Sequence, residues 1–163
     1  MNISHRITPL IMAIGMGLMA WSFTQAQEEA VHIFLKSADI KWTDGPPSLP
    51  PGAQIAVMEG DLGDLKEAEP FTFFLKLPAN YKIAPHTHPA IEHVTVLSGT
   101  LYMGTGDQVN PEKAVALTPG SFASFQPGQS MYGWSEEETV FQVHGVGPWG
   151  IKYVNPADDP RKK

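Results

Sequence analysis

The sequence predicts an all-β chain, with short antiparallel strands rolled into a sandwich or barrel within a single domain. Three observations predict it. Apolar and polar residues alternate at a period of two in several segments, the mark of strands with one buried face. Fifteen glycines and fifteen prolines among 163 residues make roughly 18% against an average near 12%, and they fall between those segments as turn punctuation. No amphipathic stretch exceeds about two helical turns, so crossovers for a parallel sheet are missing. With 42% hydrophobic and 17% charged residues the chain is too apolar to be disordered. Its net charge of −6, with no basic cluster beyond Arg161-Lys162-Lys163, lacks the footprint of a nucleic-acid binder.

The first element is a leader. Residues 1–26 read as a secretory signal peptide: Arg6 supplies a positive start, Leu10 to Trp21 is apolar, and Thr24-Gln25-Ala26 offers small residues for cleavage. As a helix the apolar stretch reaches roughly 18 Å, short of a hydrocarbon core of about 30 Å, so cleavage is expected over anchoring. Removing 26 of 163 residues leaves 137 and takes away one basic side chain, moving the net charge from −6 to −7. The expected location is the periplasm or outside the cell, with no membrane partner once the leader is gone. Cysteine is absent, which removes disulfides, a lipid anchor and thiolate metal ligands. Such a fold must stand on its core, with or without a bound metal.

Residues 27–52 read as an N-terminal strand arm, from the alternation of Val31, Ile33 and Leu35, followed by a linker-like stretch at 43–52 rich in Gly and Pro. Such an arm packs either across a second subunit of a homodimer or along its own barrel's edge. Residues 53–163 read as the barrel and a C-terminal tail. Strands are expected at 53–58, 71–77, 91–97, 100–104, 114–117, 121–125, 130–134, 139–145 and 150–154. One short helical turn is expected within 60–69. Phe73, Tyr102, Met103, Phe125 and Trp134 read as core, and Glu136-Glu137-Glu138 as a solvated hairpin.

The chemistry concentrates in Pro85-His86-Thr87-His88-Pro89-Ala90-Ile91-Glu92-His93. Histidines two apart in extended backbone project from one face and can meet one metal ion. Glu92 opens the next strand and can return a carboxylate to the same point. Two imidazoles and a carboxylate suit one divalent transition metal: Mn, Fe, Co, Ni, Cu or Zn. His93 follows Glu92 directly and points to the opposite face by strand alternation. His5 and His32 carry no pattern.

The spacing His86-x-His88, three residues, Glu92, six residues, Gly99 resembles the first motif of the cupin superfamily. A second cupin-like block starts at Gly120 and runs through Gln126, Pro127 and Gly128 to Met131. The resemblance spans roughly residues 53–154 and implies a cupin jelly-roll barrel. The ending from Val143 through Gly147-Pro148-Trp149-Gly150 to Asp159-Pro160 is similar to that of small bacterial single-domain cupins. Two departures matter: Gln126 stands where cupins carry proline, and Met131 where they carry a third metal-binding histidine. A thioether is a soft, weak ligand. Three readings follow: Met131 is core beside a three-ligand site, an axial ligand selecting copper, or the mark of a site that has lost its metal.

His144, on the strand after the second block, is read as entering the cavity beside Gln142, as replacement ligand, partner to a ligand or general base; the alternative is a hydrogen-bonded histidine in the barrel wall. The expected function is metal-dependent chemistry of oxygenase, isomerase or lyase type on a small organic molecule. The rival is a non-catalytic protein that binds a metal or small ligand, because no paired acid–base machinery is evident. A third reading is a metal-free, structural cupin.

Overall fold

The computed structural model describes residues 32–62 and 68–163. The leader at 1–26 lies outside them, as does the middle of the turn expected at 60–69. Eleven strands are present among the described residues: β1 (Thr43–Asp44), β2 (Gln54–Glu59), β3 (Pro70–Leu77), β4 (Lys82–Thr87), β5 (Glu92–Ser98), β6 (Leu101–Thr105), β7 (Val115–Leu117), β8 (Phe122–Phe125), β9 (Met131–Ser135), β10 (Thr139–Val146) and β11 (Lys152–Tyr153). Among the described residues, helical structure is limited to four 3₁₀ turns of three residues each. No described helix is long and apolar enough to cross a membrane.

The strands form two antiparallel sheets. One has six strands in the order β1-β2-β3-β10-β5-β8, the other five in the order β11-β4-β9-β6-β7. The alternation in 70–77 works as expected: Phe71, Phe73, Leu75 and Leu77 are buried while Thr72, Phe74 and Lys76 between them are not. Strand β10 sits beside β3 and β5 and adds Phe141 and Val143 to the same inner face. From the other sheet come Leu101, Met103, Leu117 and Met131. Phe34–Lys163 forms one compact unit around this core. Burying each such side chain is worth about 1.5–3 kcal/mol, which is why period-two patterning fixes which face turns inward.

Two glycines are demanded by space. Gly99, between β5 and β6, has φ +72°, and a Cβ there would come within 2.5 Å of the Glu138 carbonyl oxygen and 2.6 Å of Thr139 Oγ1. Gly104 in β6 lies under the ring of Tyr132, which a Cβ would strike. That ring is fixed by its hydroxyl, which donates to Asn110 O at 2.9 Å and accepts from Asn110 N at 3.1 Å.

The N-terminal expectations need correction. Residues 32–36 form no strand, and Phe34 is 92% exposed; the three consecutive apolar residues Ile33, Phe34 and Leu35 pair with no strand among the described residues. Pairing begins instead inside the stretch read as a linker, where Thr43 and Asp44 pair with Ile55 and Gln54 along the barrel's own edge. That stretch is also pinned: Tyr153 Oη donates to Ser48 O at 2.8 Å, Tyr81 Oη donates to Pro50 O, and Leu49 is buried in the core. Strand β4, which carries His86, was not expected as a strand. Tyr102 and Trp134 are not core; their rings stack on each other, 5.0 Å apart and 5° from parallel, and neither is fully buried.

Candidate functional site

His86 lies at the end of β4, between Met131 of β9 on one side and Tyr153 of β11 on the other. His88 follows β4, and Glu92 begins β5 in the opposite sheet. The turn between them brings all three side chains inward, with exposures of 4%, 5% and 5%. They line a small cavity of about 30 Å³ between the sheets, together with Met131, Met103, Phe141, Val143, Trp149 and Ile151. That volume is room for one or two water molecules.

The protons in this site are assigned by its hydrogen bonds. His86 Nδ1 lies 2.7 Å from Ala84 O, and His88 Nδ1 lies 2.6 Å from Gly150 O. A carbonyl can only accept, so each Nδ1 is the N–H and each neutral ring keeps its lone pair on Nε2. Burial, and for His86 also the neighbouring His88, pushes both imidazoles down to about 4. Burial pushes the Glu92 carboxyl up to about 7, against the opposing pull of His86 and of the Trp149 hydrogen bond. Glu92 Oε2 is 3.1 Å from His88 Nε2. Because burial keeps the imidazole neutral, this contact is no fully charged ion pair: below neutral pH the carboxyl O–H donates to Nε2. Once that proton leaves, two lone pairs face each other, an arrangement that invites a cation.

Trp149 completes the site, and sequence reasoning gave it no role. Its indole Nε1 donates to Glu92 Oε2 at 3.2 Å, its ring stacks on His88 at 5.1 Å and 17°, and its edge meets Phe73 at 5.1 Å. The available signal was Gly147-Pro148-Trp149-Gly150, an aromatic residue in a turn where nothing in the strand pattern requires one.

His86, His88, Glu92 and Met131 therefore share one cavity, whereas His144 and Gln142 do not reach it. Their placement corrects the expectation: Phe141 and Val143 occupy the inner face of β10, so 142 and 144 face outward. His144 pairs in register with His93, and their ring centroids are 4.8 Å apart. Among the described residues no group of three His, Cys, Asp or Glu side chains is assembled as a metal cage. Outside the cavity, a surface depression of about 590 Å³ abuts His88, Gly150 and Ile151. Another groove, of about 780 Å³, lies elsewhere, along Lys82, Trp134 and Tyr153.

Two antiparallel sheets rolled around an inward His-x-His and a facing glutamate give the chain a cupin-type jelly-roll fold. The chain belongs to the family described as Domain of unknown function (DUF4437), whose model matches residues 24–151. Three solved structures share the fold. The polyketide cyclase RemF from Streptomyces resistomycificus is 17% identical at a TM-score of 0.61, over 81% of this chain and 92% of that one. An acetylacetone dioxygenase from Acinetobacter johnsonii is 14% identical at 0.62, over 82% and 85%. An RmlC-like cupin from Shewanella frigidimarina is 11% identical at 0.54, over 72% and 91%. At these identities the likeness is one of fold. Among curated proteins, none matches.

Proposed function

We propose that this protein is an exported cupin that holds one divalent transition metal through His86 Nε2, His88 Nε2 and Glu92, and uses it on a small organic molecule. The observation that carries the reading is the tautomer lock: both Nδ1 atoms are committed to carbonyls, so both Nε2 lone pairs are free for a ligand. Distances support it. Two imidazoles bound through nitrogen at about 2.0–2.1 Å to one ion have ring centres about 4.5–5.2 Å apart, for bond angles between a right angle and a tetrahedral one. His86 and His88 are 4.9 Å apart, and the His88–Glu92 contact of 3.1 Å fits two neighbouring ligand atoms of one ion.

When bound, the metal would supply Lewis acidity or a position for dioxygen. The chain's own contribution is positional. Ala84 and Gly150 orient the rings, Trp149 holds one carboxylate oxygen, and the apolar wall of Phe141, Val143 and Ile151 excludes bulk water. Met131 lies against this site as packing. A cyclase and dioxygenases among the proteins of similar fold are consistent with small-molecule chemistry. The rival, a non-catalytic metal-binding protein, is favoured by one observation: a cavity of about 30 Å³ admits a diatomic or water but no organic molecule. On the catalytic reading the substrate enters from the depression beside His88.

The test is metal analysis of the purified protein, with unfolding measured before and after chelation. Metal at 100 times its dissociation constant stabilises by about 2.7 kcal/mol. Stoichiometric metal and a lowered melting point are expected. Protein that holds no metal and melts unchanged with chelator overturns both readings. Oxygen uptake or turnover lost in Glu92→Ala separates the enzyme from the binding protein. Export is checked by sequencing the N-terminus of the protein recovered outside the cytoplasm.

A further inference from the structure

The outer face of the six-stranded sheet carries a second constellation, independent of the cavity. Registers align Glu59 with Thr72, Thr72 with His144, His144 with His93, and His93 with Ser124. These five residues form one transverse row across five strands, with two histidines on adjacent strands at its centre. Directly opposed residues on antiparallel strands have Cβ atoms about 4.5–5.5 Å apart. The two ring centroids are 4.8 Å apart with the planes 42° from parallel. That lies inside the range of about 4.5–5.2 Å required of two imidazoles on one ion.

Three features make the pair more than two surface histidines. Neither ring nitrogen has a hydrogen-bond partner among the described residues, so nothing must be broken for a ligand to bind. Phe122, 58% exposed, leans on the His93 ring at 5.6 Å and 32°, which limits its rotation and lowers the entropy lost on binding. Burial and the adjacent His93 together hold His144 below the ordinary imidazole range, which keeps its lone pair available at neutral pH. Glu59, in the same row and accepting from Thr72 Oγ1 at 3.5 Å, adds negative charge on that side.

The geometry points to a second metal site on the outer sheet face, a two-histidine chelate of His93 and His144 for Cu(II), Ni(II) or Zn(II), with water filling the remaining positions. Nitrogen donors and the affinity order of divalent ions put Cu(II) first among them. The site is partly open to solvent, so it takes the ion directly, and it stands whether or not the inner site binds metal.

The test uses the untagged full chain, titrated calorimetrically with CuCl₂ and separately with ZnCl₂. His93→Gln and His144→Gln each remove one donor from a half-buried outer position. Each variant is expected to bind one equivalent of copper fewer than the parent, or to bind it at least about tenfold more weakly, the scale of losing a metal partner. The electron paramagnetic resonance spectrum of that copper should show two nitrogen ligands in the parent and one in each variant. A measurement without variants follows the histidine ring resonances of the parent, where zinc should shift those of His93 and His144 together. Copper stoichiometry and affinity unchanged in both variants, or zinc shifting neither ring, overturns the proposal; so does a loss confined to one variant. A failed inner site would instead show as one equivalent in the parent and none in the variants.

Discussion

Trp149→Phe tests whether the indole N–H acts on Glu92. The substitution keeps an aromatic ring on His88 and against Phe73 but deletes the 3.2 Å hydrogen bond to Oε2. The indole bond favours the ionised carboxyl, so its loss raises the Glu92 value further above about 7. The cost therefore depends on pH. At pH 5 Glu92 is protonated in the parent, and losing a neutral hydrogen bond costs about 1 kcal/mol. At pH 8 it is ionised, and losing a bond to a buried charge costs about 1.5–3 kcal/mol. At about 3–5 °C per kcal/mol for a body of this size, the melting point should fall by about 3–5 °C at pH 5 and about 5–15 °C at pH 8. Differential scanning calorimetry of chelator-treated protein at the two pH values measures both losses. Equal losses would refute the reasoning, because they would leave only the packing difference between two rings.

Three further outcomes are expected. In metal-free protein His86 and His88, lowered to about 4, make stability rise between about pH 4 and 6.5, while Glu92, raised to about 7, makes it fall between about 4.5 and 7. Two rising groups against one leave a net gain of roughly 1 kcal/mol per pH unit from 4.5 to 6.5 and a maximum near pH 6.5, read by urea unfolding; a flat profile contradicts it. Met131→His, at a position 1% exposed and in register with His86, should tighten metal binding by about tenfold or more, since imidazole outranks thioether for these ions; calorimetry showing no gain refutes it. Gly104→Ala should cost about 3 kcal/mol by driving a methyl into the Tyr132 ring, and much of that should vanish in a Tyr132→Ser background. Strictly additive costs would contradict the contact.

The sequence was most informative where one face of a strand is fully buried. Residues 70–77 and 139–146 alternate because each misplaced side chain would cost kilocalories, and both strands stand close to where their pattern put them. Strand β4 escaped because Pro85 interrupts it and its pairing with β9 slips between Ile83 and His86. For the site, the two-residue spacing of His86 and His88 and the return of Glu92 were legible, since strand geometry alone aims them. The face of His144 was misread from the sequence: Phe141 and Val143 occupy the interior, which forces 142 and 144 outward, against the expectation that both enter the cavity. Trp149 was not, because its position depends on how a loop folds back over the barrel, and no local period encodes that.

Glu92 belongs to one layer and the two histidines to the other, which gives the cavity a mechanical meaning. Sliding the layers past each other by a single residue, roughly 3.3 Å, would separate the carboxyl from its imidazole partner entirely. The constellation is thus a gauge of closure: only the fully docked sandwich possesses it, and a half-opened or misregistered chain does not. Any guest that grips both walls would act as a rivet, suppressing amide exchange in β4 and β5 together even though those strands never touch through their backbones.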